Sequence, residues 1–166
     1  MNVKTARLIA SFFGSGYLRP ASGTWGTLAA LPFAYLILLT GGFWLLLVLT
    51  LLTFFAGLQA TKVATAAGDD HDPGWIVIDE VVGMWIALFP VAYGAQMMGV
   101  EVHRLWPGWV SGFLLFRLFD IWKPWLVGRA DRLGTPLGVM LDDIIAGLFA
   151  AVVSTMLAGI AHGVLM

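Results

Sequence analysis

The chain has 166 residues, of which 60% are hydrophobic and 11% are charged, and its net charge is -1. Soluble domains carry about 25% charged residues, so this composition and a mean hydropathy of +0.89 predict an integral membrane protein. The absence of cysteine excludes disulfides, thiolate metal ligands and cysteine nucleophiles, and the near-zero charge argues against nucleic-acid binding.

Two apolar stretches come first along the chain. The N-terminal residues 1–20 contain no long apolar segment that ends in a cleavage site, so we expect them to belong to the mature protein. The apolar stretches run from Thr27 to Thr40 and from Phe43 to Ala60, separated by a Gly-Gly pair. Each is near the lower limit for crossing a hydrocarbon layer of about 30 Å. We predict a tight helical hairpin.

Three further apolar stretches follow, at Val81 to Met98, Trp109 to Ile121 and Ile144 to Met166. Pro90 and Gly94 predict a kink in the first of them. The second has only some thirteen residues, so it either crosses the membrane with help from Trp106 and Trp109 at the interface or enters it without crossing fully. The predicted fold is therefore all-α: a polytopic membrane bundle of about four to five short helices in a single domain, residues 1–166.

The distribution of basic residues predicts the orientation of the chain. With five crossings and the N-terminus inside, eight basic residues lie on the cytoplasmic side and only Arg104 lies outside. The eight are Lys4, Arg7, Arg19, Lys62, Arg117, Lys123, Arg129 and Arg132. The same orientation places most of the acids and the glycine-rich turn SGTWGT at cytoplasmic helix ends. We therefore predict a polar site there, built from distant parts of the chain.

Two pairs of adjacent acids, Asp79-Glu80 and Asp142-Asp143, are each predicted to open a membrane helix. Free N–H groups and the helix dipole favour negative charge at a helix start, so capping is one explanation. A cap needs only one acid, however, and a charged residue in mid-membrane costs ~2.5–3.5 kcal/mol on insertion scales. Four carboxylates around one point would suit Mg²⁺ or Mn²⁺. We favour the metal site.

Arg117, Asp120 and Lys123 follow one another at intervals of three residues. This spacing places them roughly on one face of the fourth helix until Pro124 ends it. One interpretation is an interfacial ladder of ion pairs, and the other is a phosphate clamp beside a metal. Arg129, in the loop that follows, can bind either phosphate or anionic lipid headgroups.

The glycine-rich turn is predicted to lead into the first span, with Thr24 or Thr27 as the helix cap. Backbone N–H groups at such a turn can bind phosphate, although an ordinary capped turn has the same pattern. His71 is a candidate base or ligand in the polar loop before Asp79.

Four segments, in this order, resemble the bacterial phosphatidylglycerophosphatase A family. They are ASGTWGTLAALP, DPGWIVIDEVVGMWIAL, FRLFDIWKPW and GVMLDDIIAG, and the resemblance extends from about Gly14 to Ala151. It implies a Mg²⁺-dependent, multi-pass enzyme of the bacterial inner membrane with its active site facing the cytoplasm. The implied substrate is a phospholipid in the bilayer, phosphatidylglycerophosphate, which would lose its terminal phosphate.

The resemblance also implies roles for individual residues. By the resemblance, the expected metal ligands are Asp79, Glu80, Asp142 and Asp143, the expected phosphate-binding residues are Arg117 and Lys123, and Asp72 and Asp120 are additional catalytic acids. From the residues themselves we add Asp79 as a candidate catalytic acid and Arg129, Thr24 and Thr27 as candidate phosphate-binding residues. We expect water to attack the phosphorus atom, with Asp72 or Asp120 accepting its proton. A covalent aspartyl phosphate is the rival mechanism.

Two alternatives from other classes use the same acids. A membrane phosphotransferase of the CDP-alcohol type would carry a DG and AR signature with later spaced aspartates, which this chain lacks. A cation-binding or transport protein would place acids near the middle of its spans, whereas the acids here lie at predicted span ends or in loops. The phosphatase is therefore the favoured function.

Overall fold

The computed structural model describes residues 1–66, 68 and 72–165, so the candidate His71 lies outside the described residues. Every regular element in this part of the chain is helical, which confirms the all-α prediction. The helices are α1 Val3–Ala10, α2 Ser22–Thr65, α3 Ile78–Ala87, α4 Phe89–Met98, α5 Trp106–Trp122, α6 Leu126–Asp131 and α7 Pro136–Leu165. Three segments are long and apolar enough to cross a membrane: Ser22–Thr65, Ile78–Met98 and Pro136–His162.

Helix α2 is a hairpin of two antiparallel halves. Its backbone leaves the helical conformation at Gly42, where φ is 62° and ψ is -158°. Gly26 lies against Val77, and Gly57 lies against the adjacent Ile78. A continuous helix would hold these two glycines about 46 Å apart, at 1.5 Å per residue. The predicted hairpin is therefore confirmed, and both of its open ends meet the start of α3.

Helix α3 occupies the centre of the bundle. All of its residues except Glu80 are buried, and α2, α5 and α7 pack around it. A helix that is apolar on all sides requires such a position. The indole N–H of Trp85 donates to the Ala30 carbonyl at 2.9 Å, which ties α3 to the first half of α2. The helix is interrupted at Leu88, between α3 and α4, so the predicted kink near Pro90 is confirmed.

Two helices begin earlier than predicted, because their first turns are less apolar than the spans that follow. Helix α2 begins at Ser22. Helix α7 begins at Pro136, so Asp142 and Asp143 lie about two turns inside it. The prediction that this pair opens the helix is wrong, and capping cannot explain these two acids. Helix α3, by contrast, begins at Ile78 with Asp79 and Glu80 in its first turn, which confirms the prediction that this pair opens a helix.

The predicted threonine cap of α2 is also wrong. The residue before the helix is Ala21, which makes no side-chain capping bond, and Thr24 and Thr27 both lie inside the helix. The hydroxyl of Thr27 donates to the Gly23 carbonyl at 2.7 Å, one turn earlier in the same helix.

Helix α5 has 17 residues and extends beyond the predicted segment at both ends. At 1.5 Å per residue it is about 26 Å long, close to the thickness of the hydrocarbon layer. It ends before Pro124, as predicted, because Lys123 adopts a left-handed conformation with φ of 49°. At the end of the bundle away from the acids, Gly42, Gln96 and Glu101 line a common cavity.

Candidate active site

Three carboxylates from two helices come together near one end of the bundle. One oxygen each from Asp79, Glu80 and Asp143 lies within 4.8 Å of the others. Asp79 and Glu80 belong to the first turn of α3. Side chains on a helix lean toward its N-terminus, which carries the Asp143 carboxylate back along α7 toward them. The prediction that these distant acids meet in space is confirmed.

Two glycines set the spacing of the three acids. Gly83 on α3 touches Gly147 on α7, and a Cβ at Gly147 would overlap the carbonyl oxygen of Gly83. The two helix backbones are therefore in contact one turn beyond Glu80 and Asp143. This close crossing is what brings the carboxylates within reach of one another.

The electrostatics of the cluster fit a bound cation. Asp143 Oδ1 and Glu80 Oε2 are buried and have no hydrogen-bond partner among the described residues. Unpaired carboxylate oxygens are costly to bury, and the neighbouring negative charges repel one another. A metal ion that prefers oxygen ligands would remove both costs. The three acids can therefore hold such an ion.

Three further predicted acids, Asp120, Asp72 and Asp142, border the cluster. Asp120, near the end of α5, interacts electrostatically with Glu80 and Asp143. Asp72, in the segment before α3, interacts with Asp79 and Asp142. The six predicted acids thus gather from four separate segments of the chain. Their individual catalytic roles stay predictions.

Arg117 on α5 reaches the same cluster from the side. It forms an ion pair with Asp120, and its buried Nε has no partner among the described residues. Gly23, in the first turn of α2, lies directly against this arginine and Glu80. A Cβ at Gly23 would lie 3.2 Å from Arg117 Nη1 and would overlap Glu80 Oε1. The absence of a side chain at residue 23 therefore lets the α2 backbone lie directly beside Glu80 and Arg117.

Lys123 does not continue a ladder with Asp120. Its left-handed backbone turns the side chain off α5, and Nζ donates to Asp131 and to Asp142, the latter at 3.0 Å. The predicted common face of Arg117, Asp120 and Lys123 is therefore wrong at Lys123. Partial burial opposes its charge, but the hydrogen bonds that Lys123 donates to Asp131 and Asp142 prevail and raise the Lys123 pKa above its ordinary value. Lys123 is a fixed cation at the edge of the cluster.

Asp142 does not belong to the group of three acids whose oxygens lie within 4.8 Å of one another. Its Oδ2 accepts from Lys123, and its Oδ1 accepts from the Asp143 backbone N–H at 3.0 Å. Asp131, the second partner of Lys123, was missed by the sequence reasoning. It lies in an exposed polar segment without any pattern that marks it.

Three predicted phosphate-binding residues have no described side-chain contact with the acids. Thr27 is buried and bonded to its own helix, Thr24 is half-buried in the first turn of α2, and Arg129 is exposed on α6. Their roles stay predictions. Beside the N-terminus of α2, a cavity of about 540 Å³ is lined by residues that include Arg19, Ser22 and Gly74. The hydroxyl of Ser22 donates to the Gly74 carbonyl and so joins the two walls.

Comparison with known proteins gives one family match and several relatives. The family model described as phosphatidylglycerophosphatase A matches residues 8–158. A phosphatidylglycerophosphatase A of Haemophilus influenzae is 36% identical over 147 residues, covering 88% of this chain and 84% of that protein. A phosphatidylglycerophosphatase A of Escherichia coli is 37% identical over 146 residues, covering 87% and 78%. A Bacteroides thetaiotaomicron protein, provisionally named a phosphatidylinositol-3-phosphatase, is 36% identical over 149 residues, covering 86% and 87%. No solved structure matches the chain.

Proposed function

The chain belongs to the phosphatidylglycerophosphatase A family, and from that premise we propose how its buried acids carry out a lipid phosphatase reaction. The enzyme hydrolyses the terminal phosphomonoester of phosphatidylglycerophosphate to phosphatidylglycerol and inorganic phosphate. Uncatalysed hydrolysis of a phosphate monoester is among the slowest of biological reactions. The negative charge of the phosphoryl group repels a nucleophile, so the protein must offset that charge and place a water molecule.

One observation carries the proposal. Asp79, Glu80 and Asp143 meet at one end of helices that are apolar enough to cross a membrane, with Arg117 beside them. A phospholipid can keep its chains in the bilayer while its phosphate reaches an end of the bundle. The comparisons give no support to the phosphotransferase or cation-transport alternatives.

We assign Asp79, Glu80 and Asp143 as the residues that would hold Mg²⁺, with Asp142 as the fourth predicted ligand. A bound Mg²⁺ supplies neutralisation of phosphoryl charge. Carboxylate oxygens are the ligands that this ion prefers, and the unpartnered oxygens of Glu80 and Asp143 support the assignment. Asp142 would have to exchange its bond to Lys123 in order to join the set.

The chain's own groups perform the remaining steps. Arg117 offers a forked pair of donors and Lys123 a point charge, and both would bind the phosphoryl oxygens. A water molecule attacks the phosphorus atom while the bond to the glycerol oxygen breaks, and the proton that the water gives up passes through the accepting carboxylate to that departing oxygen. Asp72 or Asp120 accepts the proton of the water, because each lies at the border of the acid cluster.

We also propose that the acid cluster faces the cytoplasm from the bacterial inner membrane. Eight of the nine basic residues fall on that side of the predicted topology, which satisfies the positive-inside rule. Because the chain contains no cysteine, labelling of a single introduced cysteine shows on which side of the membrane that residue lies. In intact cells, a membrane-impermeant thiol reagent should label a His103→Cys variant and spare an Arg129→Cys variant. The reverse pattern would contradict the orientation.

The activity is tested with purified protein and three lipid phosphomonoesters: phosphatidylglycerophosphate, phosphatidylinositol 3-phosphate and phosphatidic acid. We expect phosphate release from phosphatidylglycerophosphate that requires added Mg²⁺. The variants Asp79→Asn and Asp143→Asn should lose at least about 100-fold in kcat, since electrostatic groups of this kind contribute about 10²–10³-fold. Glu101→Gln, at the opposite end of the bundle, is the control and should retain activity. If Asp143→Asn has the kinetics of the parent, the assignment of the site is wrong. If the protein prefers phosphatidylinositol 3-phosphate, that lipid and not phosphatidylglycerophosphate is its substrate.

A further inference from the structure

The ammonium group of Lys123 is held between two carboxylates on different helices. Residue 123 ends α5 in a left-handed turn, while its backbone N–H still bonds the Phe119 carbonyl at 2.8 Å. Its Nζ donates to Asp131 at the end of α6 and to Asp142 inside α7. An ammonium group has three N–H donors. Among the described residues two of these donors are used, so the group can bond one further acceptor such as a phosphate oxygen.

The short helix α6 fixes Asp131 relative to Lys123. Gly128 lies directly against the Lys123 backbone, since a Cβ there would be 2.7 Å from the Lys123 carbonyl oxygen. Val127, Gly128 and Ala130 are buried, and α6 packs on α7. The Asp131 carboxylate therefore has a defined place although its side chain is 37% exposed, whereas the Asp142 side chain is only 7% exposed. One carboxylate holds the ammonium group from the solvent side and the other from the buried side.

We propose that Asp131 is a positioning residue, which fixes the Lys123 ammonium group beside the acid cluster so that it can receive an anionic phosphate. Asp131 lies outside every role assigned above. The identity of the anion rests on the proposed function, but the anchoring of Lys123 does not. Without Asp131, Lys123 would keep only Asp142 among its described partners, and its long side chain would sample other rotamers.

The anchoring is measured without any activity assay. The protein in detergent is exposed briefly to an amine-reactive ester, and the labelling of Lys123 is quantified by mass spectrometry, with Lys4 and Lys62 as internal references. An ammonium group that is held in hydrogen bonds to two carboxylates is exposed to the reagent only when those bonds open, so it reacts slowly. We expect Asp131→Asn to raise the labelling rate of Lys123 about tenfold, because the substitution removes a charge-assisted hydrogen bond that protects the amine. Asp131→Glu should restore protection, and Glu101→Gln should leave it unchanged.

The functional consequence is measured by a double-mutant cycle. We expect Asp131→Asn to lower kcat/KM about tenfold and Lys123→Met to lower it further. If Asp131 acts through Lys123, the double variant Asp131→Asn/Lys123→Met should match Lys123→Met alone. A purely structural role of Asp131 would instead lower Tm and multiply with the effect of Lys123→Met.

Two results would overturn the proposal. One is unchanged labelling of Lys123 in Asp131→Asn, and the other is a double variant whose loss equals the product of the two single losses. A parental protein that releases no phosphate from any of the three lipids would defeat the proposed function instead. In that case the labelling result would still decide whether Asp131 anchors Lys123.

Discussion

The substitution Gly147→Ala adds one methyl group at the point where α3 and α7 touch. The new Cβ would overlap the Gly83 carbonyl oxygen and lie 3.0 Å from its carbonyl carbon and 3.1 Å from its Cα. Backbone atoms cannot rotate away as a side chain can, so the two helices must separate. Glu80 lies on α3 and Asp143 on α7, each about one turn from this crossing. Separation of the helices therefore pulls the acid cluster apart.

The size of the effect follows from the distances. Ordinary carbon contacts begin at about 3.5 Å, so the backbones must part by on the order of 1 Å. Misplacement of catalytic groups by 1 Å costs about 10²-fold in rate. Overpacking lowers the free energy of unfolding by about 1–3 kcal/mol. The higher helix propensity of alanine over glycine offsets about 0.5–1 kcal/mol of this loss. We expect a modest loss of stability and a loss of about 100-fold in kcat.

The assay compares Gly147→Ala with Gly159→Ala in the same helix. Nothing lies within 4 Å of a Cβ at Gly159, so this control makes the same chemical change in open space. Phosphate release is measured at saturating lipid and Mg²⁺, and Tm is measured in the same detergent. The reasoning is refuted if folded Gly147→Ala keeps kcat within about twofold of the parent. Equal losses in both variants would also refute it.

Three further predictions concern separate contacts. Arg117→Lys keeps the charge but loses the forked donors, so kcat/KM should fall about tenfold or more; parental kinetics would contradict this role. Asp143→Asn should weaken Mn²⁺ binding by at least about tenfold, measured by electron paramagnetic resonance, since it removes the charge of one of the three acids proposed to hold the ion. Unchanged affinity would exclude Asp143 from the proposed ligands. Gln96→Leu removes the acceptor of the Phe43 N–H at the hairpin turn, bonded at 3.0 Å, and should cost about 1 kcal/mol of stability while kcat is retained. Lost activity at an unchanged Tm would show that the turn and the site are coupled.

Much of the architecture follows from local properties of the sequence. A low charge content and long apolar stretches are incompatible with a soluble domain, because so much apolar surface must be covered by lipid. The break at Gly42 and the kink near Pro90 follow from the backbone freedom of glycine and the missing N–H of proline. The meeting of Asp79, Glu80 and Asp143 was predictable from topology, since all were placed at the same membrane side.

The contacts of individual side chains could be identified only from the tertiary structure. Spacing placed Lys123 beside Asp120, but one left-handed residue at the end of α5 turns it to Asp131 and Asp142 instead. The early start of α7 likewise moves Asp142 and Asp143 inside a helix, which excludes capping. The closeness of Gly23 to Glu80 and of Gly83 to Gly147 depends on how the helices cross. Sequence periodicity reports which residues share a face of one helix, whereas distances between helices are set by the packing of every side chain between them.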